Sequence, residues 1–308
     1  MQALRSLTGV AAVAVALTWL GPADAKEYKL YYLGGQSNMD GYGYVRELPE
    51  GLNAPVDGVI IFHGNTAPDG APEDGRGVWA VLRPGHGVGF KSDGKSNTYS
   101  ERFGVELSLA RRLRELEPDA NVAIVKYSRG GTSIAAEAAG NFGCWEPDFN
   151  AGEREGKGIN QYDHFLATLR HAARARDMDG DGEEDTLLPV GIVWMQGESD
   201  ATMQPTADAY EANLKRLMDL IRAALRVDDL PVVVGRISDS GRDADGKVWD
   251  FGETVREAQA AFVRSDGRAA LVTSTDEYSY SDTWHYDTAG YLDLGRQFAE
   301  ALVNLAGQ

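Results

Sequence analysis

Four short segments carry residue types that could act together at a carbonyl carbon. Gly34-Gly35-Gln36-Ser37-Asn38-Met39 places a serine just past two glycines, where the chain turns tightly and backbone N–H groups can favour a developing alkoxide or oxyanion. Ser128-Arg129-Gly130-Gly131-Thr132-Ser133 offers a glycine pair able to present unobstructed N–H donors. Trp194-Met195-Gln196-Gly197-Glu198-Ser199-Asp200 ends an apolar run abruptly in an amide and two carboxylates; Gln196 could donate to an oxyanion and Glu198 could orient a base. In Ser281-Asp282-Thr283-Trp284-His285, an aspartate three residues ahead of a histidine can reach Nδ1 and leave Nε2 toward a nucleophile. Singly, each segment also fits a plainer role: a helix N-cap at Ser37, a strand-to-helix turn at Gly130, an acidic N-cap at Ser199 or Asp200, a surface turn at Asp282. Glu198 competes with Asp282 for the place behind His285, and the local spacing favours Asp282.

These segments need elements to bring them together. Apolar, β-branched runs at Tyr28–Leu33, Val59–Phe62, Val122–Lys126, Val190–Met195, Val232–Ile237 and Leu271–Ser274 predict strands. They alternate with three- and four-residue apolar spacing over Phe103–Leu116, Tyr162–Arg176, Ala207–Leu225, Thr254–Val263 and Thr288–Leu305, which predicts helices. Alternating βα units predict an α/β fold with a mostly parallel sheet covered on both faces, and ligands of such sheets bind at the carboxyl ends of the strands, where the four segments fall. The Gly- and Asn-rich stretch from Gly64 to Ser100 is long for a connection and is expected over that end.

Taken in order, Gly35-Gln36-Ser37-Asn38-Met39, Phe103-Gly104-Val105-Glu106-Leu107, Ser128–Ser133, Gln196–Asp200 and Asp282-x-x-His285 resemble the SGNH hydrolase superfamily, in its branch of carbohydrate esterase family 6 and the sialic acid acetylesterase-like proteins. The resemblance runs from about Tyr28 to Leu305. It implies a three-layer α/β/α, flavodoxin-like fold and O-deacetylation of a glycan or polysaccharide without a catalytic cofactor. Ser37 would be the nucleophile, His285 the base and Asp282 its acid, with oxyanion donors from the Ser37 N–H, Gly130 or Gly131, and the Gln196 side chain, where the wider superfamily uses Asn. Met195 stands where the family commonly has His. A non-catalytic, calcium-stabilised carbohydrate-binding protein would lack the Ser or His, and a lipase or thioesterase would need an apolar lid, whereas Gly64–Ser100 offers Trp79, Phe90 and Tyr99 as candidate sugar-stacking groups.

Composition bounds the rest. Among 308 residues, 43% are apolar and 25% charged, as in an ordered globular chain. With 47 Asp and Glu against 30 Lys and Arg, the formal charge is −17, which opposes nucleic acid or anionic membrane as partner and leans toward a neutral polymer; local charge such as Arg129 could reverse that lean. Cys144 is the single cysteine, so no internal disulfide forms. Arg5, the 14-residue apolar run Leu7–Leu20 and Ala23-Asp24-Ala25 predict a secretory signal over residues 1–25, too short for a span of roughly 20 residues. One domain, residues 26–308, is expected to be secreted or periplasmic and free of the membrane after cleavage. Asp177, Asp179, Asp181, Gly182, Glu183 and Asp185 follow the start of an EF-hand loop, but Leu188 replaces the final Glu and no second helix follows. A structural calcium ion on this loop, just ahead of the strand delivering Gln196, is the expectation.

Overall fold

A computed structural model describes residues 25–67, 71, 74–150 and 159–307. The expected signal segment lies outside the described residues except for Ala25. From the N-terminal side the elements are β1 (Glu27–Gly35), the single turn α1 (Ser37–Asp40), β2 (Gly43–Tyr44), β3 (Val59–His63), β4 (Ala80–Val81), β5 (Lys91–Ser92), β6 (Asn97–Thr98) and β7 (Arg102–Phe103). There follow α2 (Glu106–Leu116), β8 (Asn121–Ser128), α3 (Gln161–Arg174), β9 (Thr186–Met195), α4 (Gln204–Asp208), α5 (Tyr210–Leu225), β10 (Val232–Gly235), α6 (Gly252–Ser265), β11 (Ala269–Val272) and α7 (Thr288–Ala306).

The strands with the longest β-branched and aromatic runs lie in the middle of a seven-stranded sheet of order β11-β10-β9-β1-β8-β3-β4. Every neighbouring pair is parallel except β3 and β4. Parallel strands are covered on both faces, which is why Val122–Val125, Ile192–Met195 and Val232–Val234 are continuously buried instead of alternating. Helices α2 and α7 pack on each other over one face, while α3, α5 and α6 cover the other, giving the three layers expected. The register of β1 on β9 shifts between Leu30 and Tyr31, beside Pro189, whose missing N–H cannot serve a ladder.

Two helix boundaries differ from the sequence expectation for local reasons. Residues 102–103 pair with β2 as an antiparallel ladder, so the helix expected from Phe103 opens at Glu106. The helix expected over Ala207–Leu225 is two pieces, and the first starts earlier because Pro205 fits a first helical turn.

Between the layers and the carboxyl edge lies one fully buried charge. Lys126, on β8, donates through Nζ to Glu106 Oε2, Asp40 O and His86 O, each at 2.8 Å, so all three of its protons are used. Glu106 Oε1 accepts the Gly104 N–H at 2.8 Å. Removing one member of such a pair leaves the other charge buried and uncompensated. Lys126→Met is therefore expected to lower the unfolding free energy by about 3–5 kcal/mol in urea titration; a loss below about 1 kcal/mol would mean the pair contributes no more than an exposed one.

Candidate active site

Strand β1 delivers the serine. A side chain at Gly35, where φ is +144°, would lie 2.0 Å from Met195 O, so only glycine lets the ends of β1 and β9 approach this closely. The Gln36 N–H then donates to Met195 O at 2.9 Å and Ser37 opens α1. Ser37 and His285 line one cavity of about 530 Å³ at the carboxyl edge, with Asp40, Tyr42, Arg129, Gly130, Gly131, Phe142, Trp249 and Trp284 among its walls. The Ser37 hydroxyl makes no hydrogen bond to a described residue; nucleophile and base are often loosely aligned before a substrate enters.

The turn ahead of α7 carries the base. Asp282 Oδ1 accepts the N–H groups of Trp284 (2.7 Å) and His285 (2.8 Å), and Oδ2 accepts from His285 Nδ1 at 2.8 Å. Burial works against the Asp282 charge, but the bonds from His285 and Trp284 outweigh it and hold the carboxyl below its usual range. Burial also pushes His285 below its ordinary value, against the raising influence of Asp282, so the imidazole is neutral near pH 7, with Nδ1–H donating to Asp282 and Nε2 available.

Two of the expected oxyanion donors are engaged elsewhere. The Gly130 N–H donates to Asp40 Oδ2 at 2.9 Å, and Ser128 Oγ donates to the other Asp40 oxygen at 2.8 Å. Gln196 is fully buried; its Nε2 donates to Thr132 O (3.0 Å) and Asp200 Oδ2 (2.7 Å), while its Oε1 accepts from Tyr210 at 3.0 Å. It does not line the cavity. The N–H groups of Ser37 and Gly131 have no partner among the described residues. Glu198 does not touch His285: Asn38 Nδ2 donates to its Oε1 at 2.9 Å, and burial raises its carboxyl above the usual range. Asp282, not Glu198, pairs with the imidazole.

With this geometry in view, the family model described as carbohydrate esterase, sialic acid-specific acetylesterase, matches residues 27–304. The chain belongs to this family. A probable carbohydrate esterase of Arabidopsis thaliana is 29% identical over 113 residues, which is 37% of this chain and 40% of that protein, so the match spans less than half of that relative. A solved Arabidopsis thaliana protein superposes with a TM-score of 0.63 at 19% identity, over 91% of this chain and 99% of that one. A carbohydrate acetylesterase from Xanthomonas citri gives 0.62 at 18% over 91% of this chain and 57% of that one, and NanS gives 0.55 at 18% over 92% and 99%. All three share the three-layer fold.

In this member of the family, several residues of the site have roles that the local sequence pattern does not assign. Gln36 Oε1 accepts from Gln196 Nε2, Gly197 N and Ser199 N, each at 3.3 Å, tying the serine turn to the end of β9. Asn38 also donates to Trp284 O at 3.3 Å and accepts from Tyr291 at 2.8 Å, so one amide joins three loops. Asp200 accepts the N–H groups of Ile134 and Ala135 at 2.9 Å; burial pushes its carboxyl up to about 6 despite these bonds. Gln36 and Asn38 flank the serine in the motif, and that adjacency was the available signal.

The Gly64–Ser100 stretch does not supply sugar platforms. Trp79 is buried against Phe62 and donates to Ala172 O at 3.0 Å, and Phe90 stacks on His63 with centroids 4.2 Å apart, beside His86. The Tyr99 ring lies edge-on to His86, under Arg83. Among the described residues of that stretch only Val88 reaches the cavity; the aromatic walls are Tyr42, Phe142, Trp249 and Trp284, the last 51% exposed.

The acidic loop brings oxygens of Asp177, Asp179 and Asp185 within 4.8 Å of one another, without Asp181 or Glu183. Lys26 Nζ already sits on Asp179 and on Asp181, the latter at 2.7 Å, and Tyr28 donates to Asp179 at 2.8 Å. Asp177 caps the N–H groups of Gly180 and Gly182, and Asp185 accepts from Met178 and from the Lys26 N–H. The loop thus holds a cation of this chain, and calcium would have to displace it. Millimolar calcium is expected to leave Tm within about 1 °C; a larger rise would show that Lys26 gives way.

Asp282→Asn is expected to lower kcat by roughly three orders of magnitude or more through the wrong imidazole tautomer, whereas Glu198→Gln stays within about tenfold. Because His285 must be neutral to accept a proton and is held below its ordinary value, kcat/KM should fall on acidification with a midpoint below about 6.5. A midpoint at or above that value, or equal losses in the two variants, contradicts this assignment.

Proposed function

We propose that the protein is a serine esterase that removes O-acetyl groups from a carbohydrate and is exported before it acts. The observation that carries the reading is the Asp282-paired imidazole of His285 lining the same cavity as Ser37. Membership of a carbohydrate esterase family supports it.

The chemistry follows from the groups. His285 Nε2 takes the Ser37 proton as Oγ bonds to the acetyl carbon, and the carbonyl π pair moves to oxygen. The resulting oxyanion is held by the N–H groups of Ser37 and Gly131, each worth on the order of 3 kcal/mol when fixed in advance. The intermediate collapses, the bond to the sugar oxygen breaks, and His285 returns the proton to that oxygen. Water then attacks the acetyl-serine by the same route, releasing acetate. No step calls on a cofactor.

One observation favours an acidic glycan over a neutral polymer. Arg129 lines the cavity with its guanidinium 4.7 Å from the Phe142 ring centre and Nη1 donating to Thr66 at 3.1 Å, and no carboxylate pairs with it among the described residues. In a chain of net charge −17 an unpaired cation at the mouth of the site suits a sugar carboxylate. Acetylated xylan is the neutral alternative.

Export rests on the signal-like segment at residues 1–25, and N-terminal sequencing of secreted protein should begin at Lys26. No helix among the described residues is long and apolar enough to cross a membrane. Acetate release from O-acetylated sialic acid and from acetylated xylan, with Ser37→Ala as control, tests the activity. Ser37→Ala should be inactive on both, and Arg129→Ala should raise KM at least about tenfold for the acidic substrate alone. Parent-like release by Ser37→Ala sinks the mechanism.

A further inference from the structure

The imidazole of His285 has a hydrogen-bonded edge and two faces, and the mechanism above uses only the edge. One face is covered by Tyr42: the ring centres are 3.5 Å apart and the planes lie within 4° of parallel. Tyr42 comes from the short segment between α1 and β2, and its backbone is tied down. Its carbonyl accepts from Arg102 Nη1, and the Arg102 guanidinium stands 3.4 Å from the Tyr44 ring centre, bracing the segment. The ring is therefore a fixed wall, and an imidazole resting on it cannot tilt without losing that contact.

The other end of Tyr42 matters as much. Its hydroxyl makes no hydrogen bond to a described residue, and its side chain lines the cavity shared by Ser37 and His285. A Cβ built on Gly130 would lie 3.6 Å from the Tyr42 oxygen, 3.2 Å from Ser37 Cβ and 3.6 Å from Ser37 Cα. The phenol oxygen and the nucleophile thus border one small volume above Gly130, kept open because residue 130 has no side chain. An acyl carbonyl entering that volume would meet the phenol oxygen as well as Ser37. The site is also short of donors there, since Gly130 N–H is given to Asp40 and the Gln196 amide to Thr132 and Asp200.

We propose that Tyr42 is a further residue of the reaction site, whose ring holds the His285 imidazole in the orientation that faces Ser37 and whose hydroxyl donates a hydrogen bond to the oxyanion. This rests on the esterase reading. As Ser37 Oγ bonds to the acyl carbon and the π pair moves to oxygen, the Ser37 proton goes to His285 Nε2, while Tyr42 donates without giving up its proton. On collapse the pair returns to re-form C=O, the bond to the sugar oxygen breaks, and the Nε2 proton goes to that oxygen. Burial, with Asp40 and Asp282 nearby, raises the Tyr42 hydroxyl above its ordinary value, so it remains a donor. The charged groups around His285 are Asp282 on its own turn, Asp40 at the end of α1 and Arg102 on β7.

Two substitutions separate the ring from the hydroxyl. Kinetics on p-nitrophenyl acetate and on an O-acetylated sugar, with NMR titration of the His285 ring, form the test. Tyr42→Phe keeps the stack: kcat should fall about ten- to a hundredfold, KM should stay within about threefold, and the His285 titration should match the parent. Tyr42→Leu loses both: kcat should fall at least about tenfold further, and the His285 midpoint should move up as water reaches the uncovered face. Parent-like kcat in Tyr42→Phe overturns the hydroxyl's role. A Leu variant that keeps the parent titration and the kcat of the Phe variant overturns the ring's role. If the parent itself releases no acetate, the esterase reading fails and the hydroxyl's role falls with it, while the titration, which needs no turnover, still decides the ring.

Discussion

An ammonium group without access to water governs the geometry of the reaction centre. Lys126 Nζ joins the carbonyl that ends the serine turn, the carbonyl of His86 in the long edge segment, and the carboxylate that opens α2. A buried cation tolerates little displacement, because each acceptor it loses must be replaced in a medium that offers none. Asp40, fixed through its backbone by this charge, in turn holds Gly130 and Ser128 with its carboxylate. The nucleophile and the glycine loop are thus set by one chain of contacts that begins in the core.

The site is otherwise a set of strand ends laced by side-chain amides. Gln36 binds the loop after β9, Asn38 binds both that loop and the histidine turn, and Gln196 binds the loop after β8. Amides suit this because each both donates and accepts without carrying a charge that burial would penalise. Gln36, Asp40 and Gly130 line the cavity with these groups already engaged, while Gln196 is bonded behind it.

Where each partner lies along the chain decides what could be read from sequence. The strands were legible because parallel strands buried on both faces need uninterrupted apolar runs, and the strand-end rule then located all four loops. Asp282 and His285 were legible because their contact spans three residues and needs only a tight turn. The hydrogen bonds that engage Gln196 and Gly130 are not legible, because their partners, Asp200 excepted, come from distant segments of the chain. Lys26 over the acidic loop and Tyr42 over His285 are of the same kind: the chain shows the residues, but only the fold brings them together. Trp79 and Phe90 were misplaced because aromatic residues in a polar stretch fit a platform or a plug equally well, and here they fill the space beside β3.

Strand β1 carries a kinetic consequence. It leads the folded domain in sequence and sits in the middle of the sheet, yet its two neighbours are residues 121–128 and 186–195. One edge waits for residue 128 and the other for residue 195 of the 308, so the segment bearing the serine is drawn in late, by closures of long range. Such topologies fold slowly compared with those built from local contacts. The first strand to be synthesised therefore waits longest, its apolar face exposed meanwhile, and a competent serine exists only once the sheet has closed around it.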